Sequence, residues 1–270
     1  MFLQKEDYEE QCCPLKMNTD FTPVPMGRVI EKLDEYLSRR DYDGAQRHLK
    51  YWLAEADAGT DLGGRLSILN EQIGLYRKLA KEAEALEACS KALELSRQLY
   101  PEGSVTLGTT LVNAATAFKA FGNASEALPL YEEALEIYIT LLDQNDGRLG
   151  GLFNNMALTL MDLGRLSEAE SAFNRALEIM SLQDGGQAEC AITYLNLADL
   201  AVMRSSEEES DKLVIDYLDK AESLLDNEKL PRDGYYAFVC EKCAPVFDHY
   251  GYFIAGKKFR KIAEEIYERS

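Results

Sequence analysis

Histidine is almost missing from this 270-residue chain, which has two, His48 and His249. They fall in the first and last of the six repeats set out below. With helices packed ~10 Å apart, roughly 40 Å or more is expected between them, too far for one catalytic site. No Gly-x-x-x-x-Gly-Lys-Ser/Thr phosphate loop, His-Glu-x-x-His or Gly-x-Ser-x-Gly is found. Basic residues are outnumbered, 29 Lys and Arg against 47 Asp and Glu, leaving a formal charge of −18. Such a field repels phosphate backbones and anionic membrane surfaces, so neither nucleic acid nor membrane is expected as a partner. No run reaches the ~18 apolar residues of a membrane span. Met1–Glu10 carries acids and no apolar stretch, so it does not read as a secretory signal. Six cysteines without such a signal point to reduced thiols and a cytoplasmic protein. Cys240-Glu241-Lys242-Cys243 is a lone Cys-x-x-Cys, where a zinc site needs about four ligands. Its thiols occupy positions equivalent to apolar residues elsewhere, so they read as core. No metal, cofactor or intrinsic catalysis is expected. Prolines are few, seven, and most lie outside the stretches of regular apolar spacing.

What the chain does contain is repetition. Leu107-Gly108 recurs as Leu149-Gly150, Asn113 as Asn155, Ala115 as Ala157 and Gly122 as Gly164. Ser125-Glu126-Ala127 recurs as Ser167-Glu168-Ala169, and Ala134-Leu135-Glu136-Ile137 as Ala176-Leu177-Glu178-Ile179. Every pair is offset by 42, so a helix-turn-helix unit repeats without insertion. In one unit Leu111, Ala114, Ala115 and Phe118 share a stripe of helix A, and Ala127, Tyr131, Ala134 and Leu135 a stripe of helix B. Alanines allow close helix approach and the large residues fill the space beside them. One pair cannot bury both sides of such helices, so neighbouring pairs must stack.

Along the chain, residues 1–26 hold Cys12-Cys13, Pro14, Pro23 and Pro25 and read as an extended or poorly ordered arm. Residues 27–270 read as a single solenoid domain with repeats at about 28–57, 64–98, 105–142, 147–182, 187–226 and 232–269. Helix B of repeats three and four is expected to start near Ser125 and Ser167, whose hydroxyls would cap it. Repeat five replaces the tight glycine turn by Ser205-Ser206-Glu207-Glu208-Glu209-Ser210, the connection expected to be most irregular. After the last helix no polar-faced helix follows, so Phe259, Ile266 and Tyr267 stand as a candidate uncapped self-association surface. The cluster Lys257-Lys258-Phe259-Arg260-Lys261 would solvate one face of that helix or meet an acidic patch of a second molecule.

Leu111, Ala115, Phe118, Gly122, Ala127, Tyr131 and Ala134 occupy the places of the tetratricopeptide-repeat pattern, and the chain resembles that family. The 42-residue period, Leu152-Phe153-Asn154-Asn155-Met156-Ala157-Leu158 and the linker Tyr100-Pro101-Glu102-Gly103-Ser104-Val105 resemble its kinesin-light-chain type. The resemblance is strong over 64–182 and weaker outside. It implies an all-α, right-handed solenoid of about six antiparallel helix pairs whose A helices line a concave surface.

Asn113 lies two residues past Leu111, about 200° round the helix and so off the core stripe. Asn113, Asn155 and Asn196 recur at this phase as a ladder, with Glu71 below and Lys242 above. An amide has donors and an acceptor, and can bond a partner's backbone whatever its side chains. One turn away, Lys78, Thr109, Thr116, Asp162, Asp199 and His249 would supply selectivity. The opposing expectation is that the asparagines bond neighbouring helices and only hold the stack together. The chain is therefore read as a non-catalytic scaffold binding a protein or extended peptide, neutral or basic, on its concave face. Two alternatives are a peptide-responsive sensor like the pheromone receptors, without a DNA-binding domain, and a non-catalytic subunit of an enzyme complex.

Overall fold

Apolar residues spaced three and four apart, in a chain with few prolines, give helices throughout. The computed structural model describes residues 22–204 and 207–269, apart from the side chains of 207–209. Among the described residues there are twelve helices and no strand. They pair as α1 (Met26–Ser38) with α2 (Tyr42–Ala58), α3 (Leu62–Lys78) with α4 (Glu82–Leu99), and α5 (Val105–Ala120) with α6 (Ala124–Leu141). Next come α7 (Gly147–Asp162) with α8 (Leu166–Met180), α9 (Gln187–Arg204) with α10 (Glu207–Leu225), and α11 (Gly234–His249) with α12 (Phe253–Arg269). The chain is an all-α solenoid of stacked helix pairs. It divides into two compact units, one ending at Leu142 and one beginning at Asp143, each stacking three pairs. Within a unit the first helix of each pair packs on its partner; α2 packs on α3, α4 on α5 and α8 on α9, while α11 packs on α9.

Five of the six pairs close through one turn geometry. A single residue turns left-handed after the first helix: Arg40, Ala80, Gly122, Gly164 and Gly251, with φ of 55°, 52°, 83°, 72° and 81°. The next residue's N–H then reaches back to a carbonyl of the helix, as Lys81 does to Tyr76 at 2.9 Å and Asn123 to Phe118 at 2.9 Å. This satisfies a carbonyl that the helix end leaves open. Because the turn is so short, the second helices begin at Ala124 and Leu166, ahead of the expected serine caps. The cap positions fall on Asn123 and Arg165, neither of which makes a side-chain cap bond. Ser125 instead bonds Glu126 at 2.7 Å. The expected irregular turn of repeat five falls partly on residues that are not described. Residues 205–206 lie outside the described residues, but Glu207–Ser210 belong to α10, and α9 has 18 residues where α5 has 16. The extra residues lengthen helices.

The small residues of the repeat are where the helices meet. Ala115, Ala127 and Ala134 are fully buried beside Tyr131, as are Ala157, Ala169 and Ala176 beside Phe173. Gly108 has a packing cause. A Cβ there would lie 2.5 Å from the ring of Tyr138, which comes down on α5 from the end of α6. Of the expected arm, 1–21 lie outside the described residues. Thr22–Pro25 run without helix, and Val24 enters the first core cluster with Val29, Leu33 and Leu49. The Val24 N–H donates to the buried Asp61 carboxylate at 2.7 Å, so this segment lies against the start of α3.

The last helix corrects one expectation. Phe259 and Ile266 are not an uncovered face: they are 0% and 9% exposed, and Phe259 packs on Phe247 of α11 with ring centres 5.5 Å apart. Ala255, Phe259, Ala263 and Ile266 form the stripe that turns back onto the helix's own partner. Tyr267 is partly exposed and donates to Glu241 at 3.2 Å. The apolar residues left open on α12 are Phe253 and Ile254.

Candidate peptide-binding face

The three asparagines of the expected ladder have unequal surroundings. In the first unit Asn70 of α3, nearly fully buried, gives its amide N–H groups to the Leu66 carbonyl and to Thr110 Oγ1, both at 3.1 Å. A carbonyl can only accept, which fixes Asn70 Oδ1 as the atom pointing the other way. Asn113 of α5 donates its Nδ2 to that oxygen at 3.0 Å. In the second unit the arrangement returns. Asn154 of α7 is buried, and its Oδ1 accepts from Thr193 Oγ1 at 3.2 Å and from Asn196 Nδ2 at 3.0 Å, both on α9. Asn113 and Asn196 thus tie consecutive first helices together, and among the described residues neither side-chain oxygen accepts a hydrogen bond. Asn155 differs. The residue 43 positions before it is Val112, where the same count from Asn113 lands on Asn70. Its side-chain amide, partly exposed, makes no hydrogen bond among the described residues.

The flanking residues also separate. The Thr109 hydroxyl is paired with Tyr138 Oη at 2.9 Å. Thr116 Oγ1 donates to the Val112 carbonyl at 2.7 Å and meets Tyr131 Oη at 2.9 Å. Both threonines are engaged within the α5–α6 pair. Burial pushes the Tyr131 hydroxyl up, although the Thr116 bond works the other way, so it stays neutral. Asp199, partly buried, accepts from Tyr250 Oη at 2.7 Å and joins α9 to the end of α11. Lys78 is exposed, its ammonium 5.8 Å from the centre of the Tyr42 ring. Glu71 is half-buried in α3, and Asp162 is exposed at the end of α7. His249 is exposed, its ring edge-on to Tyr250 with centres 4.8 Å apart. Lys242 is exposed on α11. Glu71, Lys78, Thr109, Asn113 and Thr116 therefore stand in the first unit, and Asn155, Asp162, Asn196, Asp199, Lys242 and His249 in the second.

Sequence reasoning passed over an aromatic pair on α11. Tyr235 and Phe238 are 44% and 38% exposed, with ring centres 6.4 Å apart. The Tyr235 hydroxyl donates to Glu189 of α9. The signal was present: the offset of 129 that sets Lys242 on Asn113 sets Phe238 on Thr109. The second unit thus presents Asn155, Asn196 and Lys242 with an exposed aromatic patch one turn from the lysine. Such a surface offers amide bonds to a backbone and an apolar seat for one side chain.

Cys240 and Cys243 lie in the core of the second unit, 0% and 1% exposed, beside Ala244 and Phe247. Burial pushes the Cys243 thiol up to about 12, so it is protonated at neutral pH. Among the described residues no group of three or more His, Cys, Asp or Glu side chains could hold a metal ion, and no helix is long and apolar enough to cross a membrane.

Helix pairs stacked through small residues, with polar side chains along the first helices, define a helical-repeat protein. The family model described as tetratricopeptide repeat matches residues 64–140 and 149–223, more than half of the chain. The chain belongs to the tetratricopeptide-repeat family. Among solved structures, it is similar in fold to the nearly identical TPR-like repeats of a kinesin-light-chain-like protein of Podosopora anserina. That match has 14% identity, covers 75% of this chain and 94% of that one, and has a TM-score of 0.53. A Q17M form of the same repeats gives 15%, 76%, 97% and 0.54. A Rap protein complexed with Competence and Sporulation Factor matches at 14% identity over 92% of this chain and 66% of that one, with a TM-score of 0.56. No curated protein matches the sequence.

Proposed function

We propose that this protein is a scaffold without catalysis of its own, which binds protein partners as extended peptides along the face of its first helices. The observation that carries this is Asn155, a partly exposed side-chain amide that makes no hydrogen bond among the described residues of its own unit, while Asn113 and Asn196 are bonded. Asn196, Lys242 and the Tyr235–Phe238 pair would complete the surface in the second unit. Glu71 and the side-chain oxygen of Asn113 would serve the first. The charge of −18 favours neutral or basic partners and speeds their encounter at low salt. Six cysteines, free thiols where they are described, suit a cytoplasmic setting.

The test is affinity purification from the native host with wild type, Asn155→Ala and Asn113→Ala, alongside urea denaturation of each. Asn155→Ala should lose its partners at unchanged stability, since no internal bond is broken. Asn113→Ala should lose about 1–2 kcal/mol of stability, because it strips a bond from the buried oxygen of Asn70. Full partner recovery by a folded Asn155→Ala protein would overturn the reading. A second reading is a peptide-responsive regulator; the fold shared with the Rap protein complexed with Competence and Sporulation Factor is compatible with it without singling it out. In that case a bound peptide would alter a second interaction of the same chain, which a three-component binding titration would reveal.

A further inference from the structure

We propose that the outer face of α12 is a second docking surface, and that it takes an acidic amphipathic helix of another protein. The second helices of the other five pairs are acidic: α2, α4, α6, α8 and α10 each carry more Asp and Glu than Lys and Arg, α6 with four acids and no base. Helix α12 reverses this, with five basic residues against three acidic. Its inward stripe is already complete in Ala255, Phe259, Ala263 and Ile266, so the core does not require the residues on its open flank. Yet that flank is apolar as well as basic. Phe253 is 67% exposed and Ile254 87%, and with Ile262, three lysines and one acid, Glu265, they line an open groove of about 780 Å³.

The lysines differ in how far the chain itself answers them. Lys258 is paired with Asp226 of α10, and Lys261 lies 3.5 Å from Glu265 on its own helix. Lys257 has no ion pair among the described residues. Phe253 to Glu265 spans about three helical turns, the length over which an apolar stripe with acids on its borders can lie against the groove.

Charge decides between occupants. A symmetric second copy would bring Lys257, Lys258 and Lys261 against the same three lysines, across a background of −18 on each chain. An anionic membrane would meet the same background charge over the rest of the molecule. A narrow acidic helix touches only the basic strip and buries Phe253 and Ile254.

The experiment titrates the full chain against a labelled 18-residue helical peptide, with leucines on one face and glutamates on the others, by fluorescence anisotropy. A scrambled peptide of the same composition is the control. Saturable binding should weaken about tenfold or more for the scrambled peptide, for Lys257→Glu/Lys261→Glu and for Ile254→Ser, and should weaken with salt. All three side chains are exposed, so the circular-dichroism melts of these variants should match wild type. Absence of binding, or equal binding by the scrambled peptide or by the charge-reversed variant, overturns the proposal. So does a dimer in sedimentation equilibrium that Ile254→Ser dissolves, which would make this a self-association face. Binding to phosphatidylserine vesicles that the same variants abolish would assign the face to a membrane and overturn it too.

Discussion

Ala80 holds a left-handed backbone, φ 52°, at the turn where Gly122, Gly164 and Gly251 stand in other pairs. A side chain in that region crowds the following carbonyl and costs roughly 1–2 kcal/mol, a strain that glycine lacks. A Cβ added at Gly122 would meet nothing within 4 Å, so the cost at this kind of turn comes from the backbone and not from neighbours. Ala80→Gly is expected to raise stability by about 0.5–1 kcal/mol, after the greater freedom of glycine in the unfolded chain is offset. Urea denaturation followed by circular dichroism would measure it, and an unchanged or lower midpoint would refute it. The correspondence of Ala80 with the glycines is legible in the 42-residue offset. The asparagine bonds are not. Asn113 reaches a residue 43 positions back, and only the relative tilt of α3 and α5 shows that it meets Asn70 and not Glu71.

Helix starts show how local chemistry and packing divide the work. Asp146 opens α7, accepting from the Arg148 N–H at 2.9 Å and gripping the Arg148 guanidinium at 3.0 and 2.8 Å. Burial raises its pKa, but the Arg148 side-chain bonds, the backbone bond and the positive charge together outweigh that and leave it below the ordinary aspartate value of 3.8. A carboxyl whose folded value is depressed stabilises the fold above its unfolded value, and that stabilisation fades as the pH falls through the folded one. Asp146→Asn keeps a capping oxygen but loses the charge facing Arg148, and should therefore cost roughly 0.5–1 kcal/mol at neutral pH. The difference from wild type should shrink as the pH drops below the free-aspartate value, a trend that denaturation curves across that range would record. The apolar stripe of α12 was equally legible, but its direction was not. Periodicity places Phe259 and Ile266 on one side of the helix without saying that α11 already occupies that side.

Across the molecule, the described thiols report on each unit separately. Cys89 is buried in the first unit and Cys190, Cys240 and Cys243 in the second. Burial pushes Cys89 and Cys243 up to about 12, and Cys190 to about 11. None of these presents a thiolate at pH 8. In native protein their alkylation, followed by peptide mass mapping, should run slower than a free thiol by a factor on the order of 10³ or more. With rising denaturant, Cys89 should follow the opening of the first unit and the other three that of the second. Rapid native labelling of Cys243 would show that the core of the second unit is looser than its packing implies.

The sequence by itself determined that the chain would be helical, how often it would turn, and which alanines, aromatics and glycines would recur. Those features are local: they follow from a period of 3.6 residues, from small residues that let helices approach, and from turns needing a left-handed residue. Tertiary structure alone decided which asparagines bond each other and which is left open. It likewise decided that Thr109, Thr116 and Asp199 hold helices together, and that α12 shows lysines and Ile254, not Phe259, to solvent. These outcomes depend on how one helix is rotated and tilted against the next. That geometry is fixed by close packing among residues roughly 40 apart in the chain, and no spacing within a single helix records it.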